Sequence, residues 1–96
     1  MMEGPSLDTI RAAAERIAGR VTCTPLVAAP WAQDIAPGGL WLKLETAQPT
    51  GAFKLRGAAN AVACLPDDAR EVVCCSTGNH GRAVAHAAAE RGLKAT

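Results

Sequence analysis

Two short segments of the chain contain residue types that could do chemistry. Lys54 follows a turn glycine, Gly51, and stands at the start of an alanine-rich stretch that favours a helix. A lysine amine attacks carbonyl carbons only when it is deprotonated, and the positive end of a helix disfavours its ammonium form. The second segment, Ser76–His80, is a small polar turn between an apolar run and another helix-like stretch. Free N–H groups at such a turn bind carboxylates or phosphates, so the two segments are candidates for a reactive amine and an anion site.

Each of these residues also has an ordinary structural interpretation. Lys54 could be a solvated lysine on a helix surface, and His80 could be a helix-start residue that only contacts backbone. Thr77 could cap the following helix with its hydroxyl group. Gly78 and Gly81 do not complete the pattern G-x-G-x-x-G, so a dinucleotide site is disfavoured.

The segments ahead of Lys54 predict one helix and one strand. Ser6 is placed to cap a helix that has Asp8 in its first turn and Gly19 at its end, where a left-handed conformation is expected. Residues 40–45 alternate between leucine and larger or charged side chains, which predicts a half-buried strand.

The segments after residue 52 predict alternating helices and strands. Residues 53–65 favour a helix, residues 71–75 a short buried strand, and residues 80–91 a second helix that Gly92 ends. Residues 93–96 then begin another strand. Strand, helix and strand in this order form a βαβ unit, which implies a parallel sheet. A buried parallel strand needs neighbours on both sides, so the chain is expected to be a piece of a larger domain.

Composition and charge exclude several classes of function. The 96 residues carry a net charge of +1 with no basic stripe, which disfavours nucleic-acid binding. No apolar run approaches the ~20 residues of a membrane helix, and the start of the chain lacks the layout of a signal peptide. The four cysteines show neither CxxC spacing nor a metal-ligand pattern with histidine, so no metal is expected. Reduced, partly buried thiols of a cytoplasmic protein are the expected interpretation.

The pair of segments resembles the fold-type II pyridoxal-phosphate (PLP) enzymes, most closely the threonine/serine dehydratase and serine racemase group. The resemblance rests on Thr50–Ala58 around Lys54 and on Ser76–His80, and it extends over nearly the whole chain. It implies an α/β fold like that of the tryptophan synthase β chain, a parallel sheet with flanking helices, present here in truncated form. The run from Ser76 through Arg82 is also similar to the dehydratase-like proteins of hydroxyectoine breakdown.

The resemblance implies a role for each residue of the two segments. Lys54 would hold the cofactor covalently and act as the catalytic base, with Phe53 lying against the cofactor and Asn79 donating to its 3′-oxygen. Thr77 would be a second catalytic residue, whose hydroxyl acts on the opposite face of the ring, as in serine racemase. The loop that binds the substrate carboxylate would comprise Ser76, Thr77, Gly78, Asn79 and His80. Ala52 departs from the serine common at its position.

The family also implies a function and a domain arrangement. The expected reaction is β-elimination from a hydroxy amino acid to a keto acid and ammonia, by a homo-oligomer when complete. Residues 1–69 would form the N-terminal part of the PLP-binding large domain, and residues 70–96 the start of a small α/β domain. The phosphate-binding glycine loop and the partner of the pyridine nitrogen normally lie further along the chain. The alternative is an inactive truncated α/β module that needs a partner chain.

Overall fold

The computed structural model describes residues 3–96. Its first helix, α1, spans Leu7–Ile17. The hydroxyl of Ser6 accepts a hydrogen bond from the backbone N–H of Thr9 at 3.1 Å, which satisfies a donor that the first turn leaves free. Past the end of the helix, Gly19 has a φ of +80°. The predicted cap and the predicted left-handed glycine are both confirmed.

Two short strands follow and pair with each other. Strand β1, Leu26–Ala28, runs antiparallel to β2, Trp41–Lys43, with Leu26 opposite Lys43. A 3-10 helix, Pro30–Ala32, lies in their connection. The predicted strand over residues 40–45 is therefore shorter, and the prediction that it is half-buried is wrong: Trp41 is 61% exposed and Leu42 is 37% exposed. Within residues 3–96 no further strand or helix covers this pair.

The second half of the chain contains two helices and a parallel strand pair. Helix α2 spans Lys54–Ala63, and helix α3 spans Asn79–Glu90. Strand β3, Glu71–Val72, pairs in parallel with β4, Lys94–Ala95, and α3 is the crossover between them. The predicted βαβ unit is confirmed, although β3 is shorter than the predicted run of residues 71–75. None of the helices in the described range is long and apolar enough to cross a membrane.

The end of α3 shows how the sequence fixes the crossover. Gly92 has a φ of +75° and its N–H donates to the carbonyl of Ala89 at 3.0 Å. The N–H of Leu93 donates to the carbonyl of Ala88 at 2.8 Å. This pair of bonds is a Schellman motif, which only a residue tolerant of positive φ can close without strain. The chain is thereby turned directly into β4.

The core lies between α2 and α3. Leu55, Ala58 and Val62 of α2 meet Ala83 and Ala87 of α3, and Leu55 is fully buried. Alanine at the contact positions lets the two helices approach closely, but it contributes less apolar burial than larger side chains would. The core is therefore small, and polar contacts lie around it.

One of those contacts fastens the end of α2 to the end of α3. Arg91, which caps α3, donates to the carbonyl oxygen of Val62 at 2.5 Å and to that of Pro66 at 2.6 Å. Val62 is in the last turn of α2, where carbonyl groups lack helical partners and the helix dipole favours a cation. The carbonyl of Val62 also accepts from the N–H of Leu65 at 3.2 Å, and that of Pro66 from the N–H of Ala69 at 3.1 Å, so the guanidinium adds a charged donor to each.

Candidate active site

Lys54 is the first residue of α2 and its side chain lies at an apolar cavity. The turn before it closes when the N–H of Gly51 donates to the carbonyl of Gln48 at 2.8 Å, and Gly51 has a φ of +74°. A glycine is therefore required by the turn itself. Lys54 is exposed, and it makes no hydrogen bond or ion pair with any residue in the range 3–96. Its amine is consequently available to a ligand.

The cavity beside Lys54 has a volume of about 320 Å³. One face of α2, the strand β3 with the residues after it, and the first turns of α3 form its walls. Gly57 and Ala61 lie on the same side of α2 as Lys54, while Val72 and His80 approach from the other two elements. The lining is mostly apolar, which suits a flat ring, with an amine and an imidazole among its polar groups.

The turn from Ser76 to His80 joins β3 to α3, as predicted, and all five residues are exposed. The hydroxyl of Ser76 accepts from the N–H of Gly78 at 3.2 Å and from that of Gly81 at 3.1 Å. Ser76 thus does the capping that was one interpretation of Thr77, and that interpretation of Thr77 is wrong. The residue at the N-cap position itself, Gly78, has no side chain to contribute.

Three backbone donors of this turn remain open. Among the described residues, no acceptor meets the N–H groups of Thr77, Asn79 and His80. Asn79 and His80 are the first two residues of α3, where the helix dipole adds a positive field. The turn can therefore accept an anion such as a carboxylate without losing any bond of its own.

Gly81 is a residue that the sequence interpretation missed. A Cβ atom at this position would lie 2.6 Å from the carbonyl oxygen of Ser76 and 3.3 Å from its carbonyl carbon. Any larger residue must push the start of α3 away from the turn. A second glycine soon after Gly78 was visible in the sequence. The need for glycine at position 81 becomes clear only in the fold, where the start of α3 comes close to the turn.

The structure brings some of the predicted site residues together and leaves others apart. Lys54 and His80 line one cavity. Phe53 precedes Lys54 and its ring is 63% exposed, so it is free to meet a ligand. The other four turn residues, Ser76, Thr77, Gly78 and Asn79, line no part of that cavity and are exposed.

A polar network behind Lys54 is a second feature that sequence alone did not reveal. Arg56 donates from Nε and Nη2 to the two carboxylate oxygens of Glu45, both at 2.8 Å. Thr24 Oγ1 donates to the same carboxylate at 2.5 Å and Gln48 Nε2 donates at 3.2 Å. These donors, with that of Arg56 the largest cause, lower the pKa of Glu45 to about 2. The carboxylate is therefore ionised at any physiological pH.

Gln48 extends the network to the chain before β1. Its side-chain amide pairs with the backbone of Thr22, accepting from the N–H and donating to the carbonyl, both at 2.9 Å. Gln48 and Thr24 are buried. The network thus joins the segment 22–24, the 3-10 helix Glu45–Ala47 and the first turn of α2.

The comparisons with known proteins agree with this geometry. The family model for pyridoxal-phosphate-dependent enzymes matches residues 17–96. The chain belongs to the pyridoxal-phosphate-dependent enzyme family. The fold class predicted from the sequence is confirmed with it, because solved threonine deaminase and serine racemase structures share the arrangement.

Several relatives of this family are similar over almost the whole chain. A provisionally named threonine dehydratase of Sinorhizobium fredii is 47% identical over 93 residues, covering 95% of this chain and 28% of that protein. A serine racemase of Oryza sativa subsp. indica is 43% identical, covering 93% of this chain and 27% of that protein. The crystal structure of a T.th. threonine deaminase has a TM-score of 0.84 and 38% identity, covering 96% of this chain and 33% of the other. The chain thus spans about a third or less of the length of these relatives.

The residues present fit part of the cofactor that defines the PLP family. An unpaired lysine amine at the wall of an apolar cavity suits the aldehyde and the flat ring, since such an amine forms a covalent bond with a carbonyl group. The orphaned donors of the turn suit a carboxylate, a group that PLP itself lacks. In addition, Thr50 Oγ1, in the loop before Lys54, is buried without a hydrogen-bond partner among residues 3–96. A buried hydroxyl without a hydrogen-bond partner costs free energy. The loop therefore contains a polar group that a ligand could satisfy, close in sequence to the amine of Lys54.

Proposed function

We propose that the complete protein is a PLP-dependent dehydratase of the threonine/serine type. It would convert a β-hydroxy amino acid to a keto acid and ammonia. The observation that carries the proposal is the placement of Lys54 at an apolar cavity that also receives His80 from the anion-binding turn. The similarity to threonine dehydratases, one of them 47% identical, supports this choice of reaction.

The roles proposed for the chain's own residues are those that the family resemblance implies. When bound, PLP supplies an electron sink that makes the α-proton of an amino acid acidic. Lys54 would tether the cofactor and, once released by the incoming substrate, its Nζ would take the α-proton. Phe53 would pack against the cofactor, and Asn79 would donate to it from its side-chain amide.

The substrate would be oriented by the turn. The N–H groups of Thr77, Asn79 and His80 would bind the substrate carboxylate, while Ser76 and Gly78 hold the turn in shape. Binding the carboxylate at one end fixes the α-carbon relative to Lys54, which is the main contribution that positioning makes to rate.

The test is covalent labelling of the full-length protein. After incubation with PLP and reduction with borohydride, peptide mapping should place the label on Lys54. The same preparation should release keto acid and ammonia from L-threonine or L-serine. A label on Lys43 or Lys94 instead would refute the assignment of Lys54.

A racemase function is the second candidate, and the hydroxyl of Thr77 favours it. In residues 3–96 this hydroxyl makes no hydrogen bond, so capping does not account for it. A serine racemase is also 43% identical to the chain.

If Thr77 moves a proton on the face opposite Lys54, the full-length protein will form or consume a D-amino acid. Thr77→Ala should then lower that activity about 10²–10⁴-fold while L-substrate elimination persists. A parent protein with no activity on either D-isomer excludes this candidate.

The domain division and the setting of the complete protein are also proposals. Residues 1–69 would belong to the large PLP-binding domain and residues 70–96 would begin the small domain; the core that α2 and α3 share lies across this boundary. The complete protein would be a homo-oligomer, as the family resemblance implies, and would act on a small amino acid. The net charge of +1 disfavours nucleic acid as a partner. Four free cysteines suit the reducing cytoplasm. Size-exclusion chromatography of the full-length protein tests the oligomeric state.

A further inference from the structure

The start of α2 is not held by a cap of its own. Phe53, at the N-cap position, has helical backbone angles and contributes no side-chain hydrogen bond. The free N–H groups at a helix start normally need such a partner. The position of the first turn, and with it that of Lys54, must therefore be set by contacts further from the helix end.

Two residues next to Lys54 provide those contacts. Successive side chains of a helix point about 100° apart, so Lys54, Leu55 and Arg56 leave α2 in three different directions. Leu55 is fully buried in the core against α3, and Arg56 holds Glu45 through two bonds of 2.8 Å. Once two of the three directions are fixed, the third is fixed as well, and it leads to the cavity.

Glu45 is itself immobilised. Its two oxygens accept four hydrogen bonds in total, two from Arg56 and one each from Thr24 and Gln48. Its side chain is 17% exposed. An ion pair between mobile surface side chains contributes little, but a bidentate pair with additional buried donors has a defined geometry. This carboxylate can therefore act as a fixed point for the helix.

We infer that Glu45 is a positioning residue, which acts through Arg56 to fix the first turn of α2 and so the place of the Lys54 amine at the cavity. The inference rests on the proposed function, because it assigns to this network the orientation of the reactive amine. It predicts an effect on the geometry of the bound cofactor in a protein that is still folded. A network that served only stability would not change that geometry below the unfolding transition.

The experiment uses the full-length protein loaded with PLP. Glu45→Gln keeps the volume of the side chain. Its amide N–H group would face one of the donors from which the Glu45 carboxylate now accepts a hydrogen bond. Thr24→Val is the milder variant and removes one of the four bonds. Glu71→Gln is the matched control. Glu71, on β3, also accepts from a hydroxyl and pairs with a lysine, those of Thr96 and Lys94 at the end of the chain. The measurements are visible circular dichroism of the bound cofactor, kcat and KM for L-threonine, and Tm.

The inference expects most of the visible dichroism to be lost in Glu45→Gln at a temperature well below its Tm. It expects kcat to fall about 10–100-fold with KM changed much less, because a small misplacement of a reacting group has an effect of that size. Thr24→Val should show the same changes to a smaller degree, and Glu71→Gln should match the parent.

Parental dichroism and kcat in a folded Glu45→Gln protein would overturn the inference. If Glu45→Gln does not fold, Thr24→Val decides, and parental signals in that variant overturn it equally. Equal losses in Glu71→Gln would also overturn it, because they would show a general response to weakened ion pairs. A parent protein that takes no cofactor on Lys54 would overturn the proposed function and this inference together, whereas parental signals in the variants overturn the inference alone.

Discussion

The network around Glu45 and the turn Ser76–His80 are built in opposite ways. Glu45 has all of its acceptor positions in use, and its partners Thr24 and Gln48 are buried. The turn is exposed throughout, and three of its backbone donors have no acceptor among residues 3–96. Only the turn reaches the cavity beside Lys54, through His80, and no residue of the Glu45 network lines it.

The difference separates the task of placing an amine from the task of binding a substrate. A reactive group works best when its position is fixed before the ligand arrives. Donors that receive a ligand must instead be left without partners in the free protein, provided that water can reach them. The predictions below test whether the two regions divide the work in this way.

The largest effect is expected when the amine itself is removed. Lys54→Ala in the full-length protein should lower kcat for L-threonine by more than about 10³-fold, since under the proposed function both tether and base would be lost. Steady-state assay of keto acid and of borohydride-fixed cofactor measures this. Lys94→Ala, which alters only the pair with Glu71, serves as control and should leave both quantities unchanged. Substantial turnover by Lys54→Ala would contradict the assignment.

The next effect concerns the shape of the turn. Gly81→Ala should lower the free energy of unfolding by about 1–3 kcal/mol, because its Cβ would lie 2.6 Å from the carbonyl oxygen of Ser76. Substrate KM should rise as well, since the turn donors would be displaced. Denaturant unfolding and steady-state kinetics measure the two.

Gly57→Ala is the matched control for that prediction. Among residues 3–96, a Cβ at Gly57 would meet nothing within 4 Å, so this change should raise the free energy of unfolding by about 0.5–1 kcal/mol through helix propensity. If both alanine variants change stability equally, the close approach at Gly81 is not the cause.

A smaller effect should appear in the pH dependence of stability. The pKa of Glu45 is lowered from 4.5 to about 2, so its ionised form favours the folded state. That contribution is fully present above pH 4.5 and is lost as the pH falls towards about 2. Between pH 4.5 and about pH 2, the free energy of unfolding of Glu45→Gln should therefore fall less than that of the parent. Parallel denaturation curves for the two proteins across this range would contradict the pKa shift.

The smallest effect is expected at Asn79. Asn79→Ala would remove the proposed side-chain hydrogen bond to the cofactor and leave the backbone donors of the turn, so the Kd for PLP should rise about 2–10-fold. The absorbance of the bound cofactor should shift at the same time. Titration of the full-length apoprotein with PLP measures both, and an unchanged Kd and spectrum would show that Asn79 has no role beyond starting α3.

Local signals in the sequence predicted the elements that depend on neighbouring residues. Ser6, Gly19 and Gly92 end or cap helices through contacts within a few positions, so their roles can be read from spacing. The parallel pairing of β3 and β4 followed from the order strand, helix, strand. Lys54 and the turn were likewise visible as motifs, and the family they indicate is confirmed.

Contacts between distant residues could not be predicted in the same way. The pairing of Leu26 with Lys43 depends on how the chain folds back, and no turn of two residues fixes its register. Glu45 and Arg56 are eleven positions apart, and each looks like an ordinary surface charge in the sequence. The hydroxyl that caps α3 belongs to Ser76 rather than Thr77 because Gly81 lets the helix come close, which is a tertiary fact.

The two hydrogen bonds from Arg91, to the carbonyls of Val62 and Pro66, restrict the motion of α2. Together with Arg56 in its first turn, it leaves α2 held by one guanidinium near each end, so the helix cannot slide along its axis or rotate without breaking charged bonds at both ends. Movement of Lys54 is then confined to rotation about its own side-chain bonds, which takes place in picoseconds to nanoseconds rather than the microseconds of a helix shift. Amide hydrogen exchange should accordingly be slow and uniform along the middle of α2, with no opening that releases its first turn ahead of the rest.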